Sequence, residues 1–191
     1  NMIEERGISE HIHAVESGDP EQIEAILSNL NDVETDPTVR DRVLVSTRDD
    51  LLKYFEAQID EKIDLSNGRY DFDGARLVIS RVEQMPVFAD SAQVANWRTE
   101  IASTENNLLN QQTELFKDAL VYNRLVPMDG DNDVHDALGI IAQFRLDVFE
   151  TLKSQLPGAY AAAIDRAIVN GEFDGARELN EAGLRLIPED K

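Results

Sequence analysis

Five consecutive residues, Asp129-Gly130-Asp131-Asn132-Asp133, put carboxylates at alternate positions, the spacing that begins an oxygen cage for calcium. Asp129, Asp131 and Asp133 are therefore the candidate metal ligands of this chain. The cage is incomplete, because its sixth place needs Gly and holds Val134, and its twelfth needs a bidentate Glu and holds Ile140. The same residues suit a helix start, with Asp133 as N-cap and Asp136 in the first turn. That structural role is the one expected, and no metal or cofactor is expected.

Other reactive groups are sparse. His11 and His13 lie two apart, which on a helix turns them to different faces, and His135 stands alone in sequence. With no cysteine to complete a zinc site, all three read as surface or boundary residues. The absence of cysteine also removes disulfides and thiolate nucleophiles and leaves the redox compartment open. There is no G-x-S-x-G elbow, no G-x-x-x-x-G-K phosphate loop and no dinucleotide fingerprint. Carboxylates abound, yet no pair is marked as a tuned acid and base. The expectation is a chain that is not an enzyme.

A different kind of candidate is the run Asn106-Asn107-Leu108-Leu109-Asn110-Gln111-Gln112. Uncharged amides are unusual in so acidic a chain. Asn106, Asn107, Asn110 and Gln111 are candidate partner-binding residues, since amides bond a partner without the desolvation cost of a charge. The competing reading is a polar helix face beside a softened apolar seam.

Charge narrows the partner. The 191 residues hold 38 acidic and 18 basic side chains, a net of −20. Phosphate binding needs a basic face, so nucleic acid is excluded as an expected partner, and anionic membrane surfaces are disfavoured. Residues 1–36 carry ten carboxylates and one Arg, a net of −9, nearly half the total. This is a solvated surface or a docking face for a basic protein or peptide. No apolar run is long enough to cross a bilayer and no signal-peptide pattern occurs, so the expectation is a soluble protein of the cytoplasm or periplasm.

These residues must sit on helices. Gly18 closes a first helix, residues 2–16, and Asp19-Pro20 opens a second, 19–30. Leu51, Phe55, Ile59 and Ile63 recur every four residues on a helix over 38–65, which Asn67-Gly68 ends before a return helix over 73–85. Residues 91–125 lack Gly and Pro, and Val94, Trp97, Ile101, Leu108 and Leu115 form a heptad-like seam with Thr104 and Gln111 as polar gaps. Trp97, the single tryptophan, is expected in the core. Helices over 134–156, 159–169 and 174–187 follow, with Pro157-Gly158 as a break. No segment carries a convincing strand pattern.

The pentapeptide Phe-Asp-Gly-Ala-Arg occurs twice, at Phe72–Arg76 and Phe173–Arg177, each time after an Asn-Gly pair and before a proline. It marks a duplicated helix-turn-helix unit. In the last pair, Ala163, Gly171, Phe173, Ala176, Leu184, Leu186 and Pro188 fall where the tetratricopeptide pattern has small, Gly, aromatic, Ala, Leu, Leu and Pro. Tyr160 takes the early aromatic place. Residues 157–191 thus resemble a tetratricopeptide repeat and the rest a divergent array, Asp73-Gly74-Ala75 repeating the arrangement and Gly18 with Ile23 giving a degenerate version. Asn180 stands where the family has an aromatic, Gly183 where it has Ala, and the middle pairs exceed its period.

The resemblance implies an all-α, single-domain fold over 1–191. In it, helix pairs 1–36, 37–90, 91–156 and 157–191 stack as an α-α superhelix with two elongated helices. An elongated bundle that self-associates as a homodimer is the alternative. The resemblance further implies a non-enzymatic protein-binding or scaffolding module, and the cysteine-free acidic composition suggests that it is part of a larger bacterial protein. A ligand-sensing helical domain is a third reading and would need a pocket.

Overall fold

Helices account for nearly all of the structure, a computed structural model that describes Ala25, residues 37–85, Phe88, and residues 90–126 and 134–186. The expected helices over 2–16 and 19–30, His11, His13, and the acidic run with Asp129, Asp131 and Asp133 lie outside the described residues. The elements are α1 (Pro37–Lys62), β1 (Ile63–Asp64), a 3-10 turn (Leu65–Asn67), β2 (Arg69–Tyr70), α2 (Phe72–Glu83) and α3 (Ala92–Val121). They are followed by α4 (Val134–Phe144), α5 (Leu146–Lys153), α6 (Leu156–Val169) and α7 (Phe173–Leu186). The fold is all-α. The chain divides into two compact units, Asn1–Ile101 and Ala102–Lys191, with the boundary inside α3.

In the first unit, Leu51, Phe55 and Ile59 are buried at the expected four-residue spacing, against Phe72, Ala75, Val78, Ile79 and Val82 of α2. The chain reverses between them by a device absent from the sequence reading, a two-residue β-ribbon pairing Ile63 with Tyr70 and Asp64 with Arg69. Asp64 holds the turn. Its carboxylate accepts from Ser66 Oγ at 2.6 Å and from the Asn67 backbone at 3.2 Å, and Gly68 closes the turn at φ 68°. These bonds, that from Ser66 foremost, hold the Asp64 carboxyl below its ordinary value. Trp97 is in the core as expected, 3% exposed, with its indole N–H 3.4 Å from Glu56 Oε1.

The seam of α3 departs from the heptad expectation. Its buried residues are Val94, Trp97, Ile101, Glu105, Leu108, Gln112, Phe116 and Ala119. They repeat at eleven residues (94, 105, 116; 97, 108, 119; 101, 112), a spacing of about 3.67 per turn that suits a nearly straight helix better than a left-handed supercoil. Leu115 is only half-buried and Gln111 is exposed. The polar gaps of the buried stripe are therefore Glu105 and Gln112, one residue beyond those read from the heptad.

The second unit packs Phe116, Ala119, Leu125, Val134, Leu138, Ile141, Leu152 and Leu156 around the α6–α7 pair. Small residues line that pair, with Ala163, Ala167, Ala176 and Ala182 buried, so the two helices approach closely. The single helix expected over 134–156 is broken twice. Arg145 leaves helical geometry at φ −138°, ψ 73°, and a second break falls at 154–155. Pro157 and Gly158, expected as the break, instead sit in the first turn of α6, where the missing proline N–H costs nothing.

The two copies of the pentapeptide start helices by different means. Asp71 caps α2 by accepting from the Gly74 N–H at 2.9 Å, and a Cβ on Gly74 would land on that carboxylate. A Cβ on Gly175 meets open space. Gly175→Ala should therefore raise stability by about 1 kcal/mol from helix propensity. Gly74→Ala should gain nothing, because losing the cap costs a similar amount. Urea midpoints of the two variants test this, and equal shifts would contradict the capping assignment.

Candidate functional site

Asn106, Asn107, Asn110 and Gln111 are all exposed. At offsets of one, four and five residues they share one face of α3. Ala102 and Ser103 extend this face toward the helix start. From residue 102 to 113 the sole charged side chain is Glu105, which is buried. The amides thus form an uncharged ridge on a chain of net charge −20. Gln112, the remaining amide of the run, faces the interior.

A second feature lies where two helices end. Asn123, at φ 57°, closes α3 in the left-handed conformation that Asn tolerates. Its N–H reaches Leu120 O at 3.3 Å, and the Arg124 N–H reaches Ala119 O at 2.8 Å. Gly171, at φ 78°, closes α6 by the same pair of bonds, Gly171 N–H to Ile168 O at 3.0 Å and Glu172 N–H to Ala167 O at 2.8 Å. Both are Schellman caps. Between them runs a groove of about 380 Å³, with Tyr122, Asn123 and Arg124 on one wall and Arg166, Asn170 and Glu172 on the other. Ala163, Ala167 and Leu179 form its apolar floor, and Gly175 and Glu178 complete it.

One tyrosine anchors this region. Tyr160 is buried, and its hydroxyl donates to the Leu125 carbonyl at 2.6 Å. His135 Nε2 lies 3.2 Å from the same carbonyl and 3.2 Å from the hydroxyl. With its proton on Nε2, His135 shares the carbonyl's two lone pairs with Tyr160. This histidine, read in sequence as a boundary residue, is half-buried and structural. The ring of Tyr160 also accounts for Gly183. A Cβ there would stand 3.2 Å from Tyr160 Cγ, so an alanine would crowd the ring.

Titratable groups with shifted equilibria lie elsewhere. Arg145 Nε and Nη2 donate to Asp147 Oδ1 and Oδ2, both at 2.9 Å. This fork holds the Asp147 carboxyl at about 2 and raises Arg145, to which the charges of Asp147 and buried Glu105 add. The pair explains the break at Arg145, whose non-helical backbone aims the guanidinium at a residue two positions ahead. Among the described residues no group of three or more His, Cys, Asp or Glu is placed to hold a metal ion, and no helix is long and apolar enough to cross a membrane.

The amide ridge was legible in the sequence, whereas the groove and the Tyr160 anchor were not. Asn followed by Arg after a long helix is a weak sign of an αL cap, and nothing local names the carbonyl that Tyr160 reaches.

Two outcomes follow. Because its folded carboxyl is depressed, Asp147 stabilises fully above the ordinary value of about 4, and the contribution is lost as pH falls through about 2. A carbon-13 carboxyl titration should find that midpoint, and Arg145→Gln should return it to the ordinary range. Tyr160→Phe, which leaves the Leu125 carbonyl to His135 alone, should cost about 1 kcal/mol in a thermal melt. An unchanged melt would mean that the hydroxyl is dispensable.

Compared with family models, curated proteins and solved structures, the chain gives no match.

Proposed function

We propose that this chain is a non-catalytic protein-interaction module whose last helix pair, residues 157–191, is a divergent tetratricopeptide-like unit. The observation that carries the reading is the uncharged ridge of Asn106, Asn107, Asn110 and Gln111. Burying an amide with a hydrogen-bonding partner costs far less than burying a paired charge. A solvated face of this composition needs no such exclusion of charge, and the remaining exposed surface of α3 does carry Glu100, Glu114, Lys117 and Asp118. Support for the tetratricopeptide-like unit comes from buried Tyr160, Ala163 and Ala176 and from Gly171 in the left-handed turn. The net charge of −20 favours a partner of basic character, attracted over a Debye length of about 8 Å and released by salt.

A photo-crosslinking amino acid at Asn110, introduced in cells that make the protein, tests the ridge. The expected result is one dominant adduct with another protein, absent when the label sits at Glu150 on α5 and suppressed by Asn107→Glu. An adduct between two copies of this chain would support self-association instead. The same adducts from both label positions would sink the ridge as an interface.

A further inference from the structure

The α6–α7 pair has a second side, independent of the amide ridge and turned away from the groove. The groove takes Ala163, Arg166 and Ala167 from α6 and Gly175, Glu178 and Leu179 from α7. At about 100° per residue, the residues opposite these are Ala161, Asp165 and Ile168 on α6 and Phe173, Arg177 and Leu184 on α7. All six are exposed. The duplicated pentapeptide shows that the chain covers this side of a helix elsewhere. Phe72 and Ile79, the counterparts of Phe173 and Asn180, are buried, and Glu83, the counterpart of Leu184, is ion-paired to Arg98 of α3. Large apolar side chains exposed together on two adjoining helices, where the sister helix has a cover, mark an interface.

We propose that this side binds the same side of a second copy of the chain, in a twofold dimer whose axis runs parallel to α6 and α7. The turn at Gly171 and the contact of Gly183 with Tyr160 set the two helices antiparallel. In that register Asp165 comes level with Arg177, Ile168 with Phe173 and Ala161 with Leu184, each within about two residues. A twofold axis along the pair lays α6 of one copy on α7 of the other at the same height. Asp165 then meets the partner's Arg177, and the contact occurs twice. The small Ala161 receives the partner's Leu184, and Ile168 packs on the partner's Phe173. Charge is what identifies the occupant. The side holds one acid on one helix and one base on the other, net zero, on a chain of net charge −20. A basic partner finds no excess charge to meet here, and two acidic chains repel least where their contact is neutral. Both charges are available, since Asp165 makes no ion pair among the described residues and Arg177 reaches Glu181 only at 3.8 Å. Asn180, standing where α2 has Ile79, keeps the side more polar than its buried counterpart, which suits a dimer that dissociates.

The test is sedimentation equilibrium of the whole chain over a concentration series, in ~0.15 M salt to screen repulsion beyond about 8 Å. The unaltered chain should pass from monomer to dimer with no larger species, because a twofold contact closes on itself. Phe173→Glu should weaken association about a hundredfold and leave the thermal melt of the dilute chain unmoved, its side chain being exposed there. Asp165→Lys and Arg177→Glu should each weaken it about tenfold, since each sets like charges opposite one another twice. An equimolar mixture of these two variants should associate as the unaltered chain does, because each mixed pair regains opposite charges at both contacts. That result needs two chains and no change within either, so it decides the matter even if Phe173→Glu lowers the melt. A chain that stays monomeric at ~1 mM would overturn the proposal. So would a dimer indifferent to Phe173→Glu, a mixture no tighter than its separate variants, or growth beyond the dimer, which would mean end-to-end stacking.

Discussion

The hydroxyl of Tyr160 donating to the Leu125 carbonyl ties the C-terminal unit together. That bond holds the segment leaving α3 against α6, while the ring of the same tyrosine sets the approach of α7 through the missing side chain at Gly183. One buried residue thereby positions three elements. Its neighbours supply the rest of the constraint, with small side chains along the α6–α7 contact and His135 on the shared carbonyl. Because Arg124 precedes Leu125, the bond that places the carbonyl also places the guanidinium beside the α6 cap. The groove is thus a by-product of how the helix ends are anchored, and its shape depends on a hydrogen bond more than thirty positions apart in sequence.

The duplicated pentapeptide shows how far local identity reaches. Both copies open a helix, both place Ala against the partner helix, and both follow a glycine in the left-handed conformation, Gly68 and Gly171. Their phenylalanines have opposite fates, Phe72 being 2% exposed and Phe173 69%. The difference extends along the helix, where Ile79 is buried and its counterpart Asn180 is exposed. Capping differs too, because Asp71 has the short carboxylate that reaches the Gly74 N–H, whereas its counterpart Glu172 is engaged in closing α6. Five identical residues encode a turn and a helix start, and the residues around them decide what that helix buries.

Charge placement follows a similar division. The large acidic excess is visible in composition, as is the uncharged run on α3, which lies on the solvent face because Glu105, Leu108 and Gln112 occupy the buried positions. A reading by heptads finds the right apolar residues at Val94, Trp97, Ile101 and Leu108 but then drifts, since the buried positions Glu105 and Gln112 are polar and give no hydrophobic signal. The break at Arg145 was illegible for a related reason. Apolar periodicity continues through Ile141, Val148 and Leu152, and only the bidentate contact with Asp147 shows what the altered backbone gains.

From sequence alone, the helical class, the principal turns at Asn67-Gly68 and Asn170-Gly171, the core role of Trp97 and the exposed amides could be derived. Each rests on short-range physics: periodicity, the φ freedom of glycine, or the cost of desolvating a charge. Tertiary structure alone decided the β-ribbon, the eleven-residue seam, the Tyr160 anchor and the pairing of two helix caps around Arg124 and Arg166. These depend on which groups from distant positions meet, and a local pattern carries no record of that. The unsatisfied Arg124 Nε exists only in the folded chain, where burial removes the water that would otherwise accept its hydrogen bond.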